Sequence, residues 1–204
     1  LKDQRLTFDH IQGFATPRRL AVLVRSCPRK QEDTVIVRRG PALSQAFDAD
    51  GQPTNAAIGF ARSCGVNLED LSIEETNKGS WIQANIQQAG RPSIELLPDI
   101  AESAINQLPI PKRMRWGASS VQFVRPVHWL LFFYGDTIVP CELLGKPASN
   151  LTYGHRYLHP EAIAISSPDQ YQQVLLDQGF VIADFKQRRE KILRMVQSSA
   201  ETLG

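Results

Sequence analysis

Apolar residues recur along the chain at two spacings, and the switches between them mark the elements. Residues 16–26, "TPRRLAVLVRS", form a dense apolar run of β-favouring residues, with Arg18 and Arg19 at one end and Arg25 at the other. That pattern predicts a mostly buried strand. Residues 34–39, "TVIVRR", predict a second strand, which Gly40-Pro41 breaks. Residues 43–50 have a short helical pattern, and "DADGQP" is a turn signal. In "NAAIGFARSCG" Ala57, Phe60, Ala61 and Cys64 share a helical face, with Thr54 or Asn55 placed to cap its start and Gly65 its end. Small residues on that face predict a helix lying close to neighbouring backbone.

"KGSWIQANIQQAGR" opens with a turn at Lys78. It then alternates Trp81, Gln83 and Asn85 with Ile82, Ala84 and Ile86, which is strand spacing. "SIELLPDIAESAINQL" predicts a helix with Leu97, Ala101, Ala104 and Leu108 on one face and Pro98 near its first turn. Residues 121–134 and 137–144 predict two strands joined by Gly135-Asp136, the first a core strand with a bulge or edge at Arg125-Pro126. "GKPASN" reads as a loop, "TYGHRY" as a strand or turn, and "AIAI" as a last short strand. Beyond Ser167 come two amphipathic helices, the second with Ile182, Phe185, Ile192 and Val196 on one stripe. The expected architecture is α+β. A mixed, largely antiparallel sheet body with packed helices fills residues 1–166, with a break near 90–112 separating two lobes. A helical segment, 167–204, starts the next domain.

Composition adds exclusions. Hydrophobic residues make up 42% of the 204 and charged residues 22%, which is ordinary for a globular protein. The net charge is only +2, so attraction to a polyanion depends on how the charges are distributed. Residues 129–134 are the strongest apolar run, far short of the roughly 20 residues of a spanning helix, so no membrane partner is expected. The polar start "LKDQRLTFDH" is no secretory signal and lacks Met, which reads as a fragment of a longer chain. Cys27, Cys64 and Cys141 are odd in number and scattered, as suits reduced thiols in the cytoplasm.

Catalytic signatures are missing. "LLGKPAS" has Gly145-Lys146, but Pro147 follows and the first phosphate-loop glycine is absent; no dinucleotide fingerprint or G-x-S-x-G occurs. No residue is assigned a catalytic or metal-binding role. His155 and His159 lie four apart between Gly154 and Pro160, and are assigned to hydrogen bonding rather than metal. Cys64 is assigned to the core and His128 to a half-buried position.

Cations beside aromatics and glycines do stand out. Arg18 and Arg19 begin one strand, and Arg38 and Arg39 end another. Lys112, Arg113 and Arg115 share a Pro-bounded loop with Trp116; Arg125 precedes Pro126, and Arg156 precedes Tyr157. Arginine offers a fork to phosphate, and tryptophan stacks on bases or guanidinium groups. These ten residues are the candidates for RNA binding or docking. Residue chemistry leaves RNA contact and pairing with the chain's own 21 acidic residues equally open.

The order of the segments "FATPRRLAVLV", "RRGPALSQAFDADGQPTNAAIGFARSCG", "KGSW", "LPIPKRMRWG", "FVRPVHWLL" and "GHRY" resembles the N-terminal part of the β subunit of bacterial glycyl-tRNA synthetase, the heterotetrameric type. The resemblance runs from about Phe14 to the C-terminal helices. It implies that a partner α subunit holds the aminoacylation site, where glycine, ATP and magnesium react. It further implies that this chain contributes to tRNA(Gly) binding and to assembly with the α subunit and the rest of the β chain, and is silent in catalysis alone. The family is likened in turn to the β subunit of phenylalanyl-tRNA synthetase, whose corresponding domain edits. A pure docking module and an editing deacylase are therefore the alternatives.

Overall fold

Alternation along the first strands builds a one-sided hairpin. The structure, a computed structural model, describes residues 1–77 and 79–203. β1 (His10–Thr16) pairs antiparallel with β2 (Arg19–Arg25); Thr16 lies opposite Arg19, leaving Pro17-Arg18 as a two-residue link. Phe14 is buried with Ala21 and Leu23 packed around it, whereas Leu20 and Val22, on the other face, are 61% and 62% exposed. The strand expected to be mostly buried is thus half buried, because a lone hairpin has only one face covered.

Packing divides the chain into Leu1–Arg29 with Pro92–Gly204, and Lys30–Arg91. The second unit contains β3 (Thr34–Ala42), α1 (Leu43–Ala46), α2 (Asn55–Cys64), β4 (Leu71–Thr76) and β5 (Gly79–Gln88). Its antiparallel sheet has the order β3-β5-β4. Ala46, Ala57 and Ile82 form the core, with Phe60, Leu68 and Leu71 around them. α2 buries Ala57, Ala61 and Cys64, the face its periodicity indicated, and Gly65 closes it at φ +68°. The close approach has a specific cause at Gly40, where an added Cβ would lie 2.7 Å from the Phe60 ring. Thr54 precedes α2, but its hydroxyl donates to the carbonyls of Gln45 and Ala46 instead of capping the helix. The Asp48 carboxylate shapes the following turn by accepting from the amides of Asp50 and Gln52. Gln31 N–H donates to Arg91 O, and Gly90 N–H to Asp33, so the ends of the unit are tied together. The turn assigned to Lys78 lies outside the described residues.

In the first unit, α3 (Ser93–Asn106) buries Ser93 and Leu96. The expected stripe is therefore rotated, with Ala104 exposed. Pro98 is the sixth helical residue, so Ile94 O loses its usual amide donor. β6 (Met114–Arg115) pairs with β7 (Gln122–Phe123). The expected core strand over 121–134 is interrupted: residues 124–129 belong to no strand, and pairing resumes in β8 (Leu130–Leu131) and β9 (Phe133–Tyr134). Pro126 has no amide to donate, and Arg125 and His128 are exposed, so the segment bends outward. β10 (Thr137–Ile138) completes the Gly135-Asp136 hairpin as expected.

Pro140 interrupts the next run, which returns as β11 (Glu142–Leu143). Leu144 and Gly145, at φ +53° and +72°, turn the chain into β12 (Lys146–Ser149). "GKPASN" is thus largely strand, not loop; β12 pairs antiparallel with β11 and parallel with β8. β13 (Leu151–Tyr153) pairs with β14 (Ala162–Ala164), followed by α4 (Tyr171–Asp177) and α5 (Phe185–Leu203). Ile182 precedes α5 and is not on its stripe. Tyr171, Leu175 and Ala183 pack on Phe14, with the Phe14 and Tyr171 rings edge-on at 5.7 Å. The fold is α+β, and among the described residues its strand pairs are antiparallel apart from β8–β12.

Candidate cationic surface

Arg19, at the start of β2, points into the first unit. Its Nη2 donates to Gly154 O at 2.8 Å and also to Tyr153 O, and its guanidinium lies 5.7 Å from the Trp129 ring. Trp129 in turn lies 5.1 Å from the Tyr153 ring. Burial pulls the Arg19 pKa down, Tyr171 opposes that, and Arg18 adds to it. Arg19 is therefore a clamp. It joins the Pro17-Arg18 turn to the turn that follows β13.

That second turn carries exposed cation and aromatic side chains. His155 N–H donates to Gly179 O at 2.6 Å, and His155 Nδ1 accepts from the amides of Tyr157 and Leu158 at 3.3 Å each. His155 Nδ1 thus serves its own turn, while its amide ties the turn to Gly179. Arg156 lies 5.7 Å from the Tyr157 ring, and Tyr157 is 80% exposed. Arg18, Arg156 and Tyr157 are presented on two turns that Arg19 holds. Sequence reading missed Trp129 and Tyr153 as supports; the signal available was their aromatic character beside "RPVH" and "GHRY".

The loop after α3 divides in function. Arg113 Nη2 donates to Asn106 O at 2.9 Å and Ile105 O at 3.3 Å, so it caps the carbonyl end of α3, where a cation is favoured. Lys112 and Arg115 are exposed and carry no ion pair among the described residues. Trp116 is half-buried at the turn between β6 and β7, with Gly117 at φ +57°. Arg125 is exposed in the bend after β7.

In the second unit, Arg39 reaches across the sheet. Its Nε donates to Glu74 at 2.7 Å and its guanidinium lies 4.7 Å from the Trp81 ring, Glu74 and Trp81 being cross-strand partners. The bond to Arg39 holds the Glu74 carboxyl below its usual range. Arg38, on the opposite face of β3, is exposed.

Of the nine candidate cations, Arg39 alone pairs with a carboxylate among the described residues. Burial pushes the Cys27 and Cys141 thiols up, keeping them protonated near neutral pH. Among the described residues no group of three or more His, Cys, Asp or Glu is placed to hold a metal, and no helix is long and apolar enough to cross a membrane.

These features define the class: an α+β protein that displays cations and aromatics on turns held by partly buried hydrogen bonds. The chain belongs to the glycyl-tRNA synthetase beta subunit family, whose model matches residues 1–204. It is 48% identical over 204 residues to the glycine--tRNA ligase beta subunit of Coxiella burnetii, covering 100% of this chain and 30% of that protein. The namesakes from Chromohalobacter salexigens and Hahella chejuensis are 49% and 47% identical over 201 residues, covering 98% of this chain and 29% of each protein. The chain thus spans about 30% of the length of these relatives.

Proposed function

We propose that this chain is the N-terminal part of a glycine–tRNA ligase β subunit and supplies a phosphate-reading surface for tRNA(Gly). An α subunit carries out the glycine-, ATP- and magnesium-dependent chemistry. The observation that supports the RNA reading is the state of Arg18, Lys112, Arg115, Arg125 and Arg156. All are exposed, and none has an ion pair among the described residues. Internal neutralisation accounts for Arg39 only. The unit holding the five free cations has 17 basic and 13 acidic residues, whereas Lys30–Arg91 has six and eight.

The test uses the full-length β subunit with its α partner. Arg18→Ala with Arg156→Ala, and separately Lys112→Ala with Arg115→Ala, are expected to weaken tRNA binding. Each pair should also lower the slope of log affinity against log salt by about 2, since each neutralised duplex phosphate contributes about 0.9. Unchanged slopes in both pairs refute the reading. Docking on the α subunit is the second reading, favoured by Met114 and Val124, each 48% exposed beside Arg115 and Arg125. It is distinguished by lost α–β assembly with tRNA affinity intact.

A further inference from the structure

Among the described residues, the hydrogen bonds that hold α5 to the rest of its unit lie at its first turn. The Asp184 carboxylate accepts from Gln187 N–H at 2.9 Å and from Gln12 Nε2 at 3.3 Å. Arg188 donates to Ile182 O and to Ala15 O on β1, each at 2.9 Å. Beyond Arg188 every described residue of the helix is exposed. Phe185, Ile192, Val196 and Leu203 nevertheless fall on one side, with Ser199 and Ala200 filling the same stripe. Phe185, Arg188, Arg189, Ile192 and Leu193 line a shallow open depression on its first half. A helix of 19 residues that buries none of them has no core packing beyond its first turn to sustain it, and isolated helices of this length are marginal in water.

We propose that this stripe is the docking face for a helix from the part of the β-subunit polypeptide outside residues 1–204, a helix whose own apolar stripe is flanked by carboxylates. Two observations select this occupant. The chain covers 30% of its Coxiella relative, so about 70% of such a polypeptide lies outside it, ample for a covering helix. Charge selects further. In the first half of α5, Lys186, Arg188 and Arg189 lie on or beside the stripe, and the one carboxylate, Glu190, is turned away from it. A second copy packed parallel places cations on cations; packed antiparallel it offers only Glu201. The inference rests on the family membership and not on the RNA reading.

The experiment uses the full-length β subunit, without tRNA. Amide exchange over residues 189–203 is expected to be slowed at least about tenfold relative to a free peptide, independently of protein concentration. Ile192→Asp with Val196→Asp should abolish that protection, whereas Ser198→Asp on the opposite side should leave it. Zero-length carbodiimide coupling on the unaltered protein needs no variant to fold. It should join Lys186, beside the stripe, to an Asp or Glu of the same chain outside residues 1–204. Exchange as fast as the peptide, protection that rises with concentration, or coupling between two copies overturns the proposal. Protection that appears only when tRNA is added overturns it too and assigns the helix to RNA. The salt slopes of the Arg18/Arg156 and Lys112/Arg115 pairs are read separately, so failure of one reading is visible without failure of the other.

Discussion

Arg19 and Gly154 are 135 residues apart in sequence and are joined by a 2.8 Å hydrogen bond from guanidinium to carbonyl oxygen. The same nitrogen serves Tyr153 O, and the side chain is partly desolvated. Removing it leaves two carbonyls without their donor. Hydrogen bonds to charged groups contribute about 1.5–3 kcal/mol, so Arg19→Ala should destabilise by about 2–3 kcal/mol in urea unfolding. Arg19→Lys should recover only part of this, because an ammonium lacks the planar fork. Wild-type stability in Arg19→Ala would show that the clamp is idle.

Two glycines predict opposite outcomes on substitution. A Cβ on Gly90 would sit 1.9 Å from Gln31 O, a backbone atom tied by its own residue's bond to Arg91. Gly59 lies in α2, exposed, with nothing within 4 Å of its Cβ position. Gly90→Ala should therefore destabilise by about 1–3 kcal/mol, as overpacking does. Gly59→Ala should stabilise by about 0.5–1 kcal/mol, the helix preference of alanine over glycine. Thermal melts of both variants rank them directly.

The α2 face was legible because a 3.6-residue period survives wherever a helix lies on a core, and Gly135-Asp136 was legible because a two-residue turn is a local signal. In the strand over 121–134 the irregularity at Arg125-Pro126 was legible from the proline, but not its extent, since the apolar run continues through residues 124–129 that join no strand. Residues 10–16 and 71–76 were missed as strands for the opposite reason: Gln12, Gly13, Glu74 and Glu75 dilute their alternation, and they are held by pairing with β2 and β5 and by the packing of Phe14 and Leu71. In the candidate surface, sequence located the cations but could not sort them. Arg113 and Arg115 are two residues apart, yet one caps a helix and the other is free. That difference depends on where α3 ends, which is set by packing.

Acid should loosen the root of α5 through Asp184. The Gln187 amide, and secondarily Gln12 and Lys186, hold its carboxyl below the usual range. Because the folded pKa is depressed, the stabilisation is fully present above the unfolded value of about 3.9 and is lost as pH falls through the lower folded value. Urea unfolding followed from pH 6 down to about 2.5 should show a gentler acid limb for Asp184→Asn than for the natural protein. Asp33 and Glu74 are depressed as well and supply the limb that remains. Superimposable limbs would mean that the Asp184 carboxylate adds nothing as an anion.

Arg113 and Arg115 offer the sharpest separation of stability from binding. Arg113 donates to two carbonyls of the last turn of α3, Asn106 O and Ile105 O, the latter also accepting from Leu108 N–H at 3.4 Å. Arg113→Ala should cost about 1–2 kcal/mol of stability, the range for bonds to a charged group on an exposed helix end. Its tRNA salt slope, measured below the melting temperature, should match the natural protein. Arg115, exposed on β6, has no partner to lose, so Arg115→Ala should leave the melting temperature within about 1 °C and lower the slope by about 1. Both quantities come from the same two preparations of the full-length β subunit. A lowered slope in Arg113→Ala with stability unchanged would reverse the two assignments. Loss of stability in Arg115→Ala would mean that the β6–β7 hairpin is held by that side chain.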